Sequence, residues 1–302
     1  MNNPFDKPGR FWRGNLHTHT TNSDGRHSPE VVCRTYREAG YDFLALTDHF
    51  VENANWPVSD TRAFRTENFT TIIGAEIHTA KHAMELGHTW HILAVGLPLD
   101  FAHTAIDETG PELAQRALQA GAFVAAAHPH WFMMTEADLY SLGDIHALEI
   151  FNASASDDND CAESSFMLDY ALARGKRLNI CATDDAHFIT NSRERLTGWV
   201  HVKSTELSPE SLLTALKEGD FYSSTGPQIT HVEIVPGDHI SIRCTPASRV
   251  FIMGIPTEYA SIGELGITEA EFSLKNWRSP YVRVLVRDDA QRKAWSNPFW
   301  FT

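Results

Sequence analysis

The sequence predicts an α/β fold, with parallel strands and helices over residues 1–227 and a small antiparallel β domain over 228–302. Three observations predict it. Short apolar runs alternate with amphipathic helical patterns, as β/α units around a parallel sheet require. The runs are apolar throughout, as strands buried on both faces must be. After "FYSSTGP" (221–227) the helical period fades and short alternating runs replace it.

The strand candidates, in order, are "RGNLH" ending at His17, "DFLALTDH" ending at Asp48 and His49, and "TTIIGAE" ending at Glu76. Then come "HILAVG" opening at His91, "AFVAAAHPH" ending at His128 and His130, "ALEIFN" ending at Asn152, and "LNICATDDAH" ending at Asp184, Asp185 and His187. All but "HILAVG" carry polar or metal-competent residues at the carboxyl end. In a barrel of parallel strands those ends share one face, so residues far apart in sequence converge there.

The helices carry their own punctuation. "SPEVVCRTYREAG" (28–40) and "SPESLLTALKEG" (208–219) each have Ser as N-cap, Pro at the first helical position and Gly past the end. "GPELAQRALQAG" (110–121) and "ESSFMLDYALARGK" (163–176) are two more. Beyond residue 228, "THVEIV", "HISIRC", "RVFIMG", "EFSLKN", "YVRVLVRD" and "NPFWFT" read as antiparallel strands.

Bulk properties narrow the function. The formal net charge of −14 repels polyanions, so no nucleic-acid-binding face is expected, although bound cations can invert the field inside a cleft. No apolar run is long enough to span a bilayer, and the N-terminus lacks the apolar core of a signal peptide. Cys33, Cys161, Cys181 and Cys244 form no C-x-x-C pair and read as reduced thiols. The expected location is cytoplasmic.

In "GNLHTHTTNSDG" (14–25), His17 and His19 are two apart on an extended segment, so both imidazoles point the same way and can reach one ion. Glu76 or Asp185 would complete such a site. Nitrogen and oxygen donors of this kind suit Zn²⁺, Mn²⁺ or Fe²⁺.

Together, "NLHTHTTNSDG", "LALTDH", "GAE", "AAHPH" and "TDDAH" resemble the ordered motifs of the PHP (polymerase and histidinol phosphatase) superfamily over about residues 1–225. The "FYSSTGP" segment leading into a β region is most similar to its CehA/McbA-type metallohydrolases. The resemblance implies a distorted seven-stranded β/α barrel holding two or three divalent ions. It places one ion on His17, His19, Glu76 and Asp185. A second shares Glu76 and adds His91 and His128, with His78, His82 and His88 as neighbours of His91 in the chain. A third takes Asp24, His49 and His187.

The resemblance also implies hydrolysis of a small phosphate ester or phosphodiester, through attack of a metal-bridging hydroxide on phosphorus. Three divalent cations against Asp24, Glu76 and Asp185 leave an excess of positive charge that attracts an anionic, phosphorylated substrate. His130 or His201 is the candidate acid for the leaving group. Arg195, with Arg193, is the candidate phosphate clamp. Trp56 and Trp131 follow strands and are candidates for the pocket wall. Carbamate or amide hydrolysis on the same ions is the alternative, and a non-catalytic metal-binding scaffold the third. The C-terminal β domain either closes the site or builds a homodimer.

Overall fold

The computed structural model describes residues 1–301. The elements are β1 (Arg10–Asn15), α1 (Pro29–Glu38), β2 (Phe43–Leu46), β3 (His49–Phe50), β4 (Thr70–Ala83), β5 (Thr89–Val95), α2 (Gly110–Gln119), β6 (Phe123–Ala126), α3 (Glu136–Ser141), β7 (Ala147–Asn152), α4 (Ala153–Asp158), α5 (Ser165–Ala173), β8 (Asn179–Thr183), β9 (Trp199–Ser204), α6 (Pro209–Glu218) and β10 (Phe221–Ser224). There follow β11 (Ile229–Val235), β12 (His239–Met253), β13 (Tyr259–Ser273), β14 (Tyr281–Arg287), β15 (Lys293–Ser296) and β16 (Phe299–Trp300). The fold is mixed α/β.

Three of the four expected helices form where their caps stand, and α5 begins at Ser164 without a side-chain cap. Ser28 Oγ accepts from Val31 N–H at the start of α1, and Ser208 Oγ from Ser211 N–H at the start of α6. Thr109 and Glu112 close a reciprocal capping box on α2. The short helices α3 and α4 were not anticipated. Each begins at a polar cap, Thr135 and Asn152, but spans less than two turns and shows no helical period.

The sheet departs from the parallel expectation. β1, β2 and β4 run parallel, as do β6, β7 and β8. Between them β5 is antiparallel to both β4 and β6, while β9 lies antiparallel beside β1 and β10 lies antiparallel beside β9. A histidine at the amino end of "HILAVG" thus reaches the same rim as the carboxyl ends of its neighbours. β4 also runs seven residues past Glu76, to Ala83.

One face of this sheet is enclosed. Leu16, Phe43, Ala45, Ile72, Leu93, Phe123, Ala147, Cys181, Val200 and Val202 form one buried cluster drawn from successive strands. Helices cover the other face: α2 and α5 pack over β4–β8, and α1 packs over β2. At the carboxyl rim the first and last parallel segments meet, with Thr18 bridged in parallel to Ala186. His19 N–H donates to Ala186 O and Asp185 N–H to His17 O, both at 2.9 Å. The free edge of β8 is satisfied by side chains. Ser223 Oγ accepts from Ala182 N–H, and Asn297 Oδ1 accepts from Ile180 N–H.

β11 to β16 pair antiparallel, and β15 joins β10, so β11, β12, β14, β15 and β10 form one path, with β13 beside β12 and β16 beside β14. The runs "HISIRC" and "RVFIMG" belong to one strand, β12. Val232, Ile240, Val250, Val284 and Phe299 form a further core with Phe5 and Tyr222. Arg283 and Lys293 pair with Asp169 and Glu163, on or beside α5. Among the described residues no helix is long and apolar enough to cross a membrane, and all four cysteines are unpaired.

Candidate metal centre

Glu76 sits at the middle of a histidine cluster on the carboxyl rim, fully buried on β4. Its Oε1 lies 2.8 Å from His91 Nδ1, 3.1 Å from His128 Nε2 and 3.6 Å from His17 Nε2. Its Oε2 lies 2.6 Å from His49 Nδ1, 3.4 Å from His78 Nε2 and 3.8 Å from His19 Nε2. Asp185 Oδ1 is 2.9 Å from His19 Nε2 and 3.3 Å from His17 Nε2. Asp24 closes the outer side, 3.4 Å from His49 Nε2 and 3.5 Å from His187 Nε2. His17, His19, Asp24, His49, Glu76, His91, His128, Asp185 and His187 therefore meet in one network.

Local structure explains how. Asp48 accepts from Thr20 N–H and from the hydroxyls of Thr20, Ser23 and Ser59, which folds the 20–25 loop back over the rim and carries Asp24 to His49. Asn15 Nδ2–H donates to His17 O and Thr18 Oγ1, and Asn15 Oδ1 accepts from Asp184 N–H. Asp184 itself accepts from the backbone of Leu196, Thr197 and Gly198 and from Tyr36. It braces the loop after β8 and turns away from the cluster. His128 and Asp185 hold φ of 29° and 54°, a left-handed conformation costing about 1–3 kcal/mol each in non-glycine residues.

Two residues of the cluster escaped the sequence reading. His78 was named only as a neighbour of His91; it is buried beside His49 and His91. Glu149, in the middle of "ALEIFN", is fully enclosed. Its Oε1 accepts from His17 Nδ1–H and Thr183 Oγ1–H, both at 2.7 Å, and its Oε2 from His128 N–H and Asn152 Nδ2–H. The alternation of β7 was the available signal: Leu148 and Ile150 pack under the helices, so Glu149 faces the enclosed side.

The electrostatics are those of a buried cluster able to hold cations. Burial lowers His17, but Asp185, Glu149 and Glu76 outweigh it and hold the imidazole well above its ordinary value. Burial, with His187 and His49, takes His19 down to about 3. Burial resists the charge on Glu76, yet His91, His49 and His17 hold it well below the carboxylate range. Burial likewise lowers His49, but Glu76 and Asp24 push it up to about 10. Buried imidazoles cannot all carry protons side by side, whereas divalent ions require them neutral. His17 Nε2, His19 Nδ1, His128 Nδ1 and Glu76 Oε2 are buried without a hydrogen-bond partner. Three groups have donor atoms within 4.8 Å of one another: His19, Asp24, His49 and His187; His49, Glu76, His78 and His91; and His17, His19 and Glu76. Mixed nitrogen and oxygen donors at this spacing fit zinc, manganese or iron.

A cavity of about 870 Å³ opens onto the cluster at His49, His78 and His91. Phe50, Val51, Trp56, Ala80, Thr104 and Ile106 line it, with Glu52 as its acidic group and no lysine or arginine. Trp56 stacks on His103 with ring centroids 4.2 Å apart. Trp131 instead packs against His128.

The expected acid and clamp lie elsewhere. His201 is on β9 between Val200 and Val202, which face the enclosed side, so its ring points outward. There it stacks on Tyr222 and accepts from Trp199 Nε1–H, and it cannot reach a leaving group. His130 is exposed and lines a separate cavity of about 390 Å³ with Met133, Met134, Phe166 and Met167. The turn at Pro129 and the hydrogen bond from His130 N–H to Ser164 Oγ direct it there. Arg193 and Arg195 are exposed and absent from the wall of the large cavity. Arg193 N–H donates to Asp157, and the Arg195 guanidinium lies over Phe188.

No family model matches the chain, and no curated protein does. Solved structures do. A two-domain protein from Bacteroides vulgatus, described as containing a predicted PHP-like metal-dependent phosphoesterase, superposes with a TM-score of 0.54 at 15% identity, covering 99% of each chain. A protein of Bifidobacterium adolescentis named as a candidate metal-dependent phosphoesterase gives 0.44 at 15% identity, over 58% of this chain and 87% of its own. An amidohydrolase from Chromobacterium violaceum, with bound sulfate, gives 0.43 at 15% identity over the same shares. The first of these shows that the present chain shares that protein's fold over nearly its whole length.

Proposed function

We propose that this protein is a metal-dependent hydrolase of the PHP kind, cleaving a small phosphate ester or phosphodiester. The reading takes residues 1–227 as a distorted seven-stranded β/α barrel and 228–302 as an appended β domain. The observation that carries it is the ring of imidazoles and carboxylates around Glu76, with four buried polar atoms left unpaired, at the floor of a cavity large enough for a small molecule. His17, His19, Glu76 and Asp185 would hold one ion, Glu76, His91 and His128 a second, and Asp24, His49 and His187 a third.

Bound there, divalent ions supply Lewis acidity and lower the pKa of water from 15.7 toward about 7. The chain's own part is positioning. Glu149 holds the Nδ1 proton of His17 and so leaves Nε2 free to bind. Asp48 fixes the loop that brings Asp24 to the rim. Trp56 and Phe50 exclude water from one wall of the cavity.

With Glu149 the cluster holds four carboxylates, which two divalent cations would balance and a third would exceed. An anionic substrate is then favoured only when the third site is filled. The cavity wall without lysine or arginine favours a second reading, in which the substrate body is uncharged and the bond cleaved is a carbamate or amide. A location in the cytoplasm and a homodimer built by the β domain complete the proposal.

Phosphate release from nucleotides, sugar phosphates and phosphodiesters with added Mn²⁺, using His49→Ala as control, tests it. Release that disappears in the variant supports the phosphoesterase. Silence across the panel with metal bound, and release of alcohol or amine from carbamates, overturns it in favour of the second reading.

A further inference from the structure

We propose that His78 is a direct ligand of a divalent ion held together with His49, Glu76 and His91, and that this ion faces the large cavity. The inference rests on reading the cluster as a metal centre; it adds His78 to the ligand sets above and regroups His49 and His91, assigned there to different ions, around Glu76.

The backbone makes the case first. β4 does not stop at Glu76, so His78 follows two residues later on the same face. The antiparallel pairing of β4 with β5 sets His78 directly opposite His91, and the parallel pairing with β3 sets Glu76 opposite His49. Four side chains on three strands are thereby aimed at one point. The His78 and His91 rings stand 4.1 Å apart, centroid to centroid.

The atoms make it second. Glu76 is fully buried, and its Oε2 accepts no hydrogen bond although His49 Nδ1 is 2.6 Å away and His78 Nε2 3.4 Å away. His49 Nδ1 and His78 Nε2 face each other at 2.8 Å. Two nitrogens and an unpaired carboxylate oxygen converging in a buried space match the donor set of a cation. Three nitrogens and one oxygen are a complement suited to Zn²⁺. His49, His78 and His91 all line the cavity, so this ion is the one a substrate meets on entry.

The test counts metal rather than turnover. The full chain is stripped with a chelator, reloaded with Zn²⁺, and its bound metal and affinities are measured for wild type, His78→Gln and His88→Gln. His88 is exposed and stacks on Phe132, outside the cluster. Loss of one equivalent in His78→Gln, or a weakening of one site by about tenfold or more, with His88→Gln at wild-type values, is the expected result. Unchanged stoichiometry and affinity in His78→Gln overturns the proposal.

Should His78→Gln fail to fold, His78→Cys loaded with Co²⁺ decides. A thiolate-to-cobalt charge-transfer band absent from wild type places residue 78 on the ion, and a folded, cobalt-loaded variant without the band removes it. A protein that binds metal through residue 78 yet hydrolyses nothing overturns the hydrolase reading alone. Hydrolysis with intact metal binding in His78→Gln overturns this one alone.

Discussion

His17 Nδ1 and Glu149 Oε1 lie 2.7 Å apart inside the sheet, both fully enclosed. The carboxylate can only accept, so the shared proton sits on Nδ1 and Nε2 is the atom turned toward Glu76 and Asp185. Orientation of an imidazole by a buried carboxylate is how metal ligands are commonly fixed.

Glu149→Gln therefore weakens metal binding without removing a ligand. Its amide NH₂ would confront the donors of either His17 and Thr183 or His128 and Asn152. Affinity for Mn²⁺ or Zn²⁺ is expected to fall about 10- to 100-fold, and stability by about 1–3 kcal/mol. Calorimetric titration of the variant checks it, and wild-type affinity would remove the orienting role.

Gly25→Ala disturbs the outer ligand through the backbone. A Cβ at residue 25 would fall 2.6 Å from the carbonyl carbon of His19, so the loop carrying Asp24 must move. The expected cost is about 1–3 kcal/mol of stability, with weaker binding at the Asp24, His49 and His187 site. Thermal unfolding of the metal-free protein and metal titration measure the two effects separately. A variant matching wild type in both would show the loop to be slack.

His201 predicts a pH dependence. Burial, helped by Arg13, lowers its imidazole from 6.5 to about 3. Between those values the unfolded chain binds a proton that the folded chain refuses, so stability falls as pH drops through that window and is undiminished above it. The slope contributed is up to about 1.4 kcal/mol per pH unit. His201→Gln keeps an acceptor for Trp199 Nε1–H and abolishes the titration. Denaturant unfolding from pH 7 to 4 should show a shallower acid limb in the variant; parallel limbs would contradict it.

Much of the rim was legible because strand ends are punctuated. His17, His49, Glu76, His128 and Asp185 each follow an apolar run, and a sheet brings such ends together whatever the loops between them do. Strand direction was not legible. Nothing in "HILAVG" distinguishes a parallel from an antiparallel strand, and the reversal of β5 is what sets His91 against His78. His78 is hard to read from the sequence because Glu76, the first charged residue after the apolar run, looks like a strand end, although a strand entering a polar site continues past it. Glu149 was hidden inside an apolar run. The alternation of Val200, His201 and Val202 turns His201 outward, which rules against it as the acid for a leaving group.

Glu76→Gln tests the central claim most directly. Glu76 touches six histidines, so a neutral amide there should dismantle the shared carboxylate while leaving the fold in place. Wild type and variant are stripped, reloaded with Mn²⁺, and assayed on the best phosphoester of the panel. Hydrolysis that vanishes on stripping, returns on reloading, and falls at least about a hundredfold in Glu76→Gln is the predicted result, a loss of about 2.7 kcal/mol in transition-state stabilisation. Hydrolysis that survives chelation, or is undiminished in Glu76→Gln, would contradict it.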